Sequence, residues 1–229
     1  MNTYIGLIPA RSGSKGIKHK NLKKIENLAL VEIAVKNLKS LKKINDVFVT
    51  SDSQIILNRI MKFGGIPFKR ERKFSTDKTL GNDVIKNFII KKKIKLNTVL
   101  VYHQATSPLK NNFHISKAID LFEKKKPLGL ISCYKTDSEK LFKSFIMKKN
   151  NIKPLFDLKK SLSNRQDNND IFIPNGAIYI FRLNKKFFQK GINFDKTIPY
   201  IMSETDTIDI NSITDLNKAR KLFKSKIRI

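Results

Sequence analysis

Apolar and polar positions follow two rhythms along this chain. Short apolar runs at 4–8, 46–50, 98–104, 129–134 and 177–181 read as buried strands. Between them, 28–41, 54–63, 83–95 and 113–125 repeat apolar residues at helical spacing. Ser51-Asp52-Ser53 offers an N-cap to the second of these helices and Gly64-Gly65 a stop. Residues 66–68 form a short extended piece. The stretch 135–173 breaks the rhythm: it is polar, rich in Lys and Asn and weakly periodic, so it reads as an excursion from the main fold. Asn175-Gly176 reads as a turn back into a strand, and Ser212-Ile213-Thr214-Asp215 as a capping box opening a last helix. Strands alternating with helices predict a three-layer α/β fold with a mostly parallel sheet, spanning 1–229 as one domain with 135–173 as an insertion. Active sites in such sheets lie beyond the carboxyl ends of the strands, which directs attention to 11–21, 104–108 and 209–211.

Composition narrows the function classes. With 47 Lys and Arg against 19 Asp and Glu, the net charge of +28 attracts polyanions of any kind. The lysines are spread along the whole chain, and Lys91-Lys92-Lys93 and Lys124-Lys125-Lys126 close helices, where cations suit the helix dipole. There is no basic arm, zinc-ligand spacing or RNP-type aromatic motif, so nucleic acid is not the expected partner. Cys133 is the sole cysteine and sits in a strand-like run, which fits a buried thiol, excludes an internal disulfide and makes a cytoplasmic location the expectation. No apolar stretch approaches the roughly 20 residues needed to span a bilayer, and no signal-peptide pattern opens the chain. His19, His103 and His114 are scattered without ligand spacing and receive no catalytic role.

The strand at 4–8 empties into Pro9-Ala10-Arg11-Ser12-Gly13-Ser14-Lys15-Gly16, with Lys20-Asn21 close behind. Glycines let backbone N–H groups converge on an anion, and Arg11, Lys15 and Lys20 add positive charge, as a polyphosphate requires. No Gly-Lys-Ser/Thr closes the loop as in a Walker A motif, and Gly-x-Gly-x-x-Gly is absent.

These residues, with Thr50-Ser51-Asp52, Gln104-Ala105-Thr106-Ser107-Pro108-Leu109, Arg165-Gln166, Pro174–Ile180 and Tyr200-Ile201-Met202-Ser203 in that order, resemble the acylneuraminate cytidylyltransferases, the CMP-sialic acid synthetases. The resemblance implies a Rossmann-like nucleotidyltransferase fold and transfer of CMP from CTP to the anomeric hydroxyl of a nonulosonic acid, with pyrophosphate released. It implies that Arg11, Ser14, Lys15, Lys20 and Asn21 hold triphosphate and ribose, Arg11 and Lys15 stabilise developing charge, and Arg70 sits by the cytosine. Gln104, Asn175 and Tyr179 would bind the sugar acid, Arg165 its carboxylate, and Lys143 would assist from the excursion, which forms a homodimer arm in that family. Taken singly, Tyr179 also suits an ordinary strand aromatic, Asn175-Gly176 a turn and Arg165 a solvated loop.

The match departs from the family at two places. The implied Mg²⁺ site is an Asp-x-Asp on alternate residues; here it reads Asp209-Ile210-Asn211, so Asp209 and Asn211 give one charge where two are usual. At the sugar pocket, Ile192-Asn193-Phe194 replaces a Phe-Phe pair and Ile173 stands where Arg is frequent. N-acetylneuraminate is the first substrate expected, with legionaminate, pseudaminate and the eight-carbon Kdo as alternatives.

Overall fold

The computed structural model describes residues 2–162, 170–191 and 194–227. Strand β1 (Tyr4–Pro9) leads through the Gly-containing loop to a small hairpin, β2 (Lys24–Ile25) and β3 (Leu28–Ala29), and into helix α1 (Leu30–Lys39). The predicted helix at 28–41 therefore starts late, because Leu28 and Ala29 pair with Ile25 and Lys24. Glu32 then accepts from the Ala29 N–H at 2.6 Å and pairs with Arg59, which fixes the first turn. β4 (Ile44–Ser51), α2 (Gln54–Met61) and β5 (Ile66–Lys69) follow. Ser53 caps α2, and Gly64, at φ 76°, ends it with Gly65 N–H bonded back to Ile60 O.

Helix α3 (Gly81–Lys91) stops four residues short of its predicted end. Lys93 takes a left-handed conformation (φ 51°), the Ile94 N–H returns to Ile89 O, and Ile94 packs against the core. An apolar residue just past a helix terminus prolongs the periodicity without prolonging the helix. After β6 (Val99–His103), α4 (Asn112–Lys125) and β7 (Gly129–Thr136), the excursion contains α5 (Ser138–Phe142), a hairpin of β8 (Phe145–Lys148) and β9 (Asn151–Pro154), and α6 (Leu158–Leu162). β10 (Ile171–Arg182), α7 (Lys185–Lys190), β11 (Thr197–Ile201) and α8 (Ile213–Ile227) complete the chain.

The main sheet has seven strands in the order β11-β7-β10-β6-β1-β4-β5. β10 is antiparallel to both neighbours and all other pairings are parallel. Alternate strand residues feed two cores: Ile8, Val49, Val101 and Ile180 pack with α1, α4 and α8 on one face, while Leu7, Phe48, Leu100 and Phe181 pack with α3 and α7 on the other. Two expectations change here. Asn175-Gly176 is not a turn between elements but a bulge inside β10, where the register with β7 shifts between Pro174 and Tyr179. A left-handed glycine (Gly176 φ 70°) serves a bulge as well as a turn. Strand β11 was not signalled, because Pro199 interrupts its pattern; at the sheet edge a missing N–H costs little.

Candidate active site

A cleft of about 310 Å³ opens at the carboxyl ends of β1, β5 and β6, lined by Arg11, Ser14, Lys20, Asn21, Arg70, Gln104 and Asp209 among others. The loop after β1 is pinned from several sides. The Ala10 N–H donates to Thr50 O, Asp52 accepts from the backbone N–H of Ser12 at 2.8 Å and from its hydroxyl, and Asn21 Nδ2 donates to Arg11 O at 2.9 Å. Burial alone would push the Asp52 carboxyl up, but the two Ser12 bonds, with its own backbone N–H and the nearby Arg70 charge, together hold the pKa low. Gly16 faces the 209–211 segment so closely that a Cβ would lie 2.0 Å from the Asn211 carbonyl oxygen, so this approach needs glycine.

The charges in the cleft fit a polyanion. Arg70 follows β5 and is buried, its Nε has no partner, and burial pulls its pKa down, partly offset by Tyr102 and Asp52. Lys20 donates to Ile210 O at 2.6 Å and to Asn211 Oδ1 at 3.2 Å, and burial lowers its pKa against the attraction of Asp209. Arg11 pairs with Asp77 at 2.6 Å, and Lys15 reaches the other oxygen of the same carboxylate at 3.3 Å. The Arg11 hydrogen bond holds the Asp77 pKa low. Asp77 thus bridges the two cations assigned to phosphate, in the way a phosphate would.

The sequence-predicted residues do not all meet in one place. Arg11, Ser14, Lys20, Asn21, Arg70, Gln104, Asp209 and Asn211 line one cleft, with Lys15 on its rim beside Asp77. Tyr179 stands behind it, its ring 6.0 Å from that of Tyr102, which does line the cleft. Asn175 is turned into the sheet: its Oδ1 accepts from Ser132 Oγ (2.6 Å) and Ala177 N–H (3.0 Å), which holds the bulge that rests on Gln104. Lys143 ends α5, outside the cleft, and pairs with Glu139 at 2.5 Å. Arg165 lies outside the described residues. Asp77, Tyr102 and Lys110 were not anticipated. An acid within Ser75-Thr76-Asp77, in the loop between β5 and α3 of a chain with few acids, was the available signal for the first.

Asp209 and Asn211 are the expected metal ligands. Asn211 Nδ2 donates to Asp209 Oδ2 at 2.9 Å, and its Oδ1 already accepts from Lys20. Asp209 Oδ1 is buried without a partner. Among the described residues no cluster of three His, Cys, Asp or Glu side chains suits a metal. Mg²⁺, however, is commonly held by one carboxylate together with substrate phosphates and water, and the unpartnered Asp209 oxygen fits that donor set. Asn211 serves instead as a neutral link between Lys20 and Asp209.

Residues 5–228 match the cytidylyltransferase family. The chain belongs to that family. Its members are nucleotidyltransferases. The chain is 26% identical to the N-acylneuraminate cytidylyltransferase of Streptococcus agalactiae serotype III (strain NEM316), over 92% of this chain and 51% of that protein, so it spans about half of that relative's length. It is also 26% identical to the pseudaminic acid cytidylyltransferase of Campylobacter jejuni serotype O:2, over 95% of each chain. A solved CMP:2-keto-3-deoxy-manno-octonic acid synthetase complexed with CTP shares the fold, with a TM-score of 0.72 at 13% identity, over 98% of this chain and all of that one. No helix among the described residues is long and apolar enough to cross a membrane.

Proposed function

We propose that this chain transfers CMP from CTP to the anomeric hydroxyl of a nonulosonic acid. The observation that carries the reading is the grouping of Arg11, Lys20 and Arg70 in one cleft with an open carboxylate oxygen on Asp209. Similarity to N-acylneuraminate and pseudaminic acid cytidylyltransferases supports the acceptor class. The anomeric oxygen gives up its proton to solvent as it forms a bond to the α-phosphorus, the bond from that phosphorus to the β-phosphate bridge breaks, and pyrophosphate carries the electron pair away. Little covalent chemistry is asked of the protein; positioning and charge neutralisation lower the barrier. Arg11 and Lys15 exchange Asp77 for phosphate oxygens, Lys20 and Asn21 hold triphosphate and ribose, and Arg70 lies on the base side. Asp209 would hold Mg²⁺, which when bound neutralises phosphate charge. Gln104 and Tyr179 face the sugar acid. Pyrophosphate release with CTP and Mg²⁺, tested in parallel with N-acetylneuraminate, legionaminate, pseudaminate and Kdo, should appear with a nine-carbon acid. Silence with all four from protein that binds CTP would sink the reading.

The same reading includes a homodimer. The β8–β9 hairpin exposes Phe145, Ile146, Met147 and Ile152, between 51% and 79% accessible, a concentration of apolar surface that marks an interaction site. A partner's hairpin covering it would bring Lys143, at the end of α5, towards the facing cleft. The double change Met147→Asp with Ile152→Asp should give monomers by light scattering, and an unaltered dimer would place the interface elsewhere.

A further inference from the structure

The loop between β6 and α4 forms the floor of the cleft, and it is unusual in being buried. Ala105, Ser107 and Leu109 are each no more than 3% exposed, yet the loop belongs to no helix or strand. Buried irregular backbone has carbonyls that need donors from somewhere. Here the donor is Lys110, itself 1% exposed. Its Nζ donates to Ser107 O at 2.9 Å and to Gln104 O, while its own carbonyl accepts from Asn37 Nδ2 of α1 at 3.0 Å. Thr106 O, on the same loop, accepts the Ile210 N–H at 2.8 Å and so ties the loop to the segment carrying Asp209.

We infer that Lys110 is a positioning residue: it clasps the 104–107 turn so that Gln104 and Thr106 face the sugar-acid side of the cleft and Asp209 keeps its place. A lysine so deeply buried is expensive unless its donors are used, and these are spent on the two carbonyls that shape the site. Burial pulls its ammonium down to about 7, against the opposing attraction of Asp209, whose charge it feels across the loop. The role in sugar binding rests on the proposed function; the clasp itself does not.

The test is Lys110→Met, which keeps the stem and removes the donors. Amide hydrogen exchange should accelerate at 104–109 and 209–211 and stay unchanged in β1 and β4. The kcat/KM for the sugar acid should fall roughly 10- to 100-fold, as expected for a reactant misplaced by about an ångström, while the Kd for CTP by calorimetry without Mg²⁺, which does not draw on Asp209, stays the same. Unchanged exchange at 104–109, or an equal loss in metal-free CTP binding, would overturn the role. Should Lys110→Met not fold, Lys110→Gln takes its place, with the same pattern expected at smaller amplitude because its shorter side chain cannot span both carbonyls. If the unaltered protein releases no pyrophosphate with any acid, the functional reading fails, and the exchange data still judge the clasp.

Discussion

Arg11→Ala should lower turnover about 100-fold at saturating CTP, the usual loss when one preorganised charge stabiliser is removed. The backbone at this position is fixed independently of the side chain: the Ala10 N–H is bonded to Thr50 O, and Arg11 O accepts from Asn21. Truncation therefore leaves the loop where it is, and the loss falls on the chemistry. The side chain is 34% exposed and held out over the cleft by Asp77, so it is already extended when nucleotide arrives. Removing it also leaves Asp77 facing Lys15 alone, which adds a less compensated negative charge where phosphates must bind. The KM for CTP should rise with the fall in kcat, and the thermal midpoint should move little. Steady-state pyrophosphate release over a CTP series measures both. A wild-type rate at saturation would confine Arg11 to nucleotide binding.

What could be read in the sequence was whatever local chemistry determines. The strand at 4–8 and the cleft-lining loop after it were legible because apolar run, glycines and cations are contiguous. The α2 termini were legible for the same reason: Ser53 and Gly64 act on their own backbone. The misses are cases where distant partners decide. Gly176 signals a positive φ, but whether the chain reverses there or bulges depends on β7 alongside. Pro199 discourages a strand, and only the edge position of β11 makes it harmless. Asn175 reads as a polar residue available to substrate until Ser132, 43 residues away in sequence, claims its oxygen. Lys110 resembles dozens of solvated lysines in this chain, and nothing local marks it as buried. Asp77 gains meaning only because Arg11 and Lys15 are folded against it.

Asp209→Asn should have the other large effect, a loss of about two to three orders of magnitude in turnover, since a cation neutralising phosphate charge contributes several kcal/mol to the transition state. Asp209 presents one buried oxygen without a partner and spends the other on Asn211. Its replacement removes the one carboxylate that the 209–211 segment offers the cleft, since Asp215, close by in sequence, is committed to capping α8 through Ser212 and the Asn211 N–H. The converse change, Asn211→Asp, should tighten Mn²⁺ binding to the CTP complex by about tenfold, within the range that metal-site neighbours command. That added carboxylate would also pair with Lys20, which now donates to the Asn211 amide oxygen, so part of the gain is offset. Titrating Mn²⁺ by its electron paramagnetic resonance signal, with and without CTP, separates the cases. Equal Mn²⁺ affinity in wild type and Asp209→Asn would remove Asp209 from the metal site, and the open oxygen would then be available to the sugar hydroxyl.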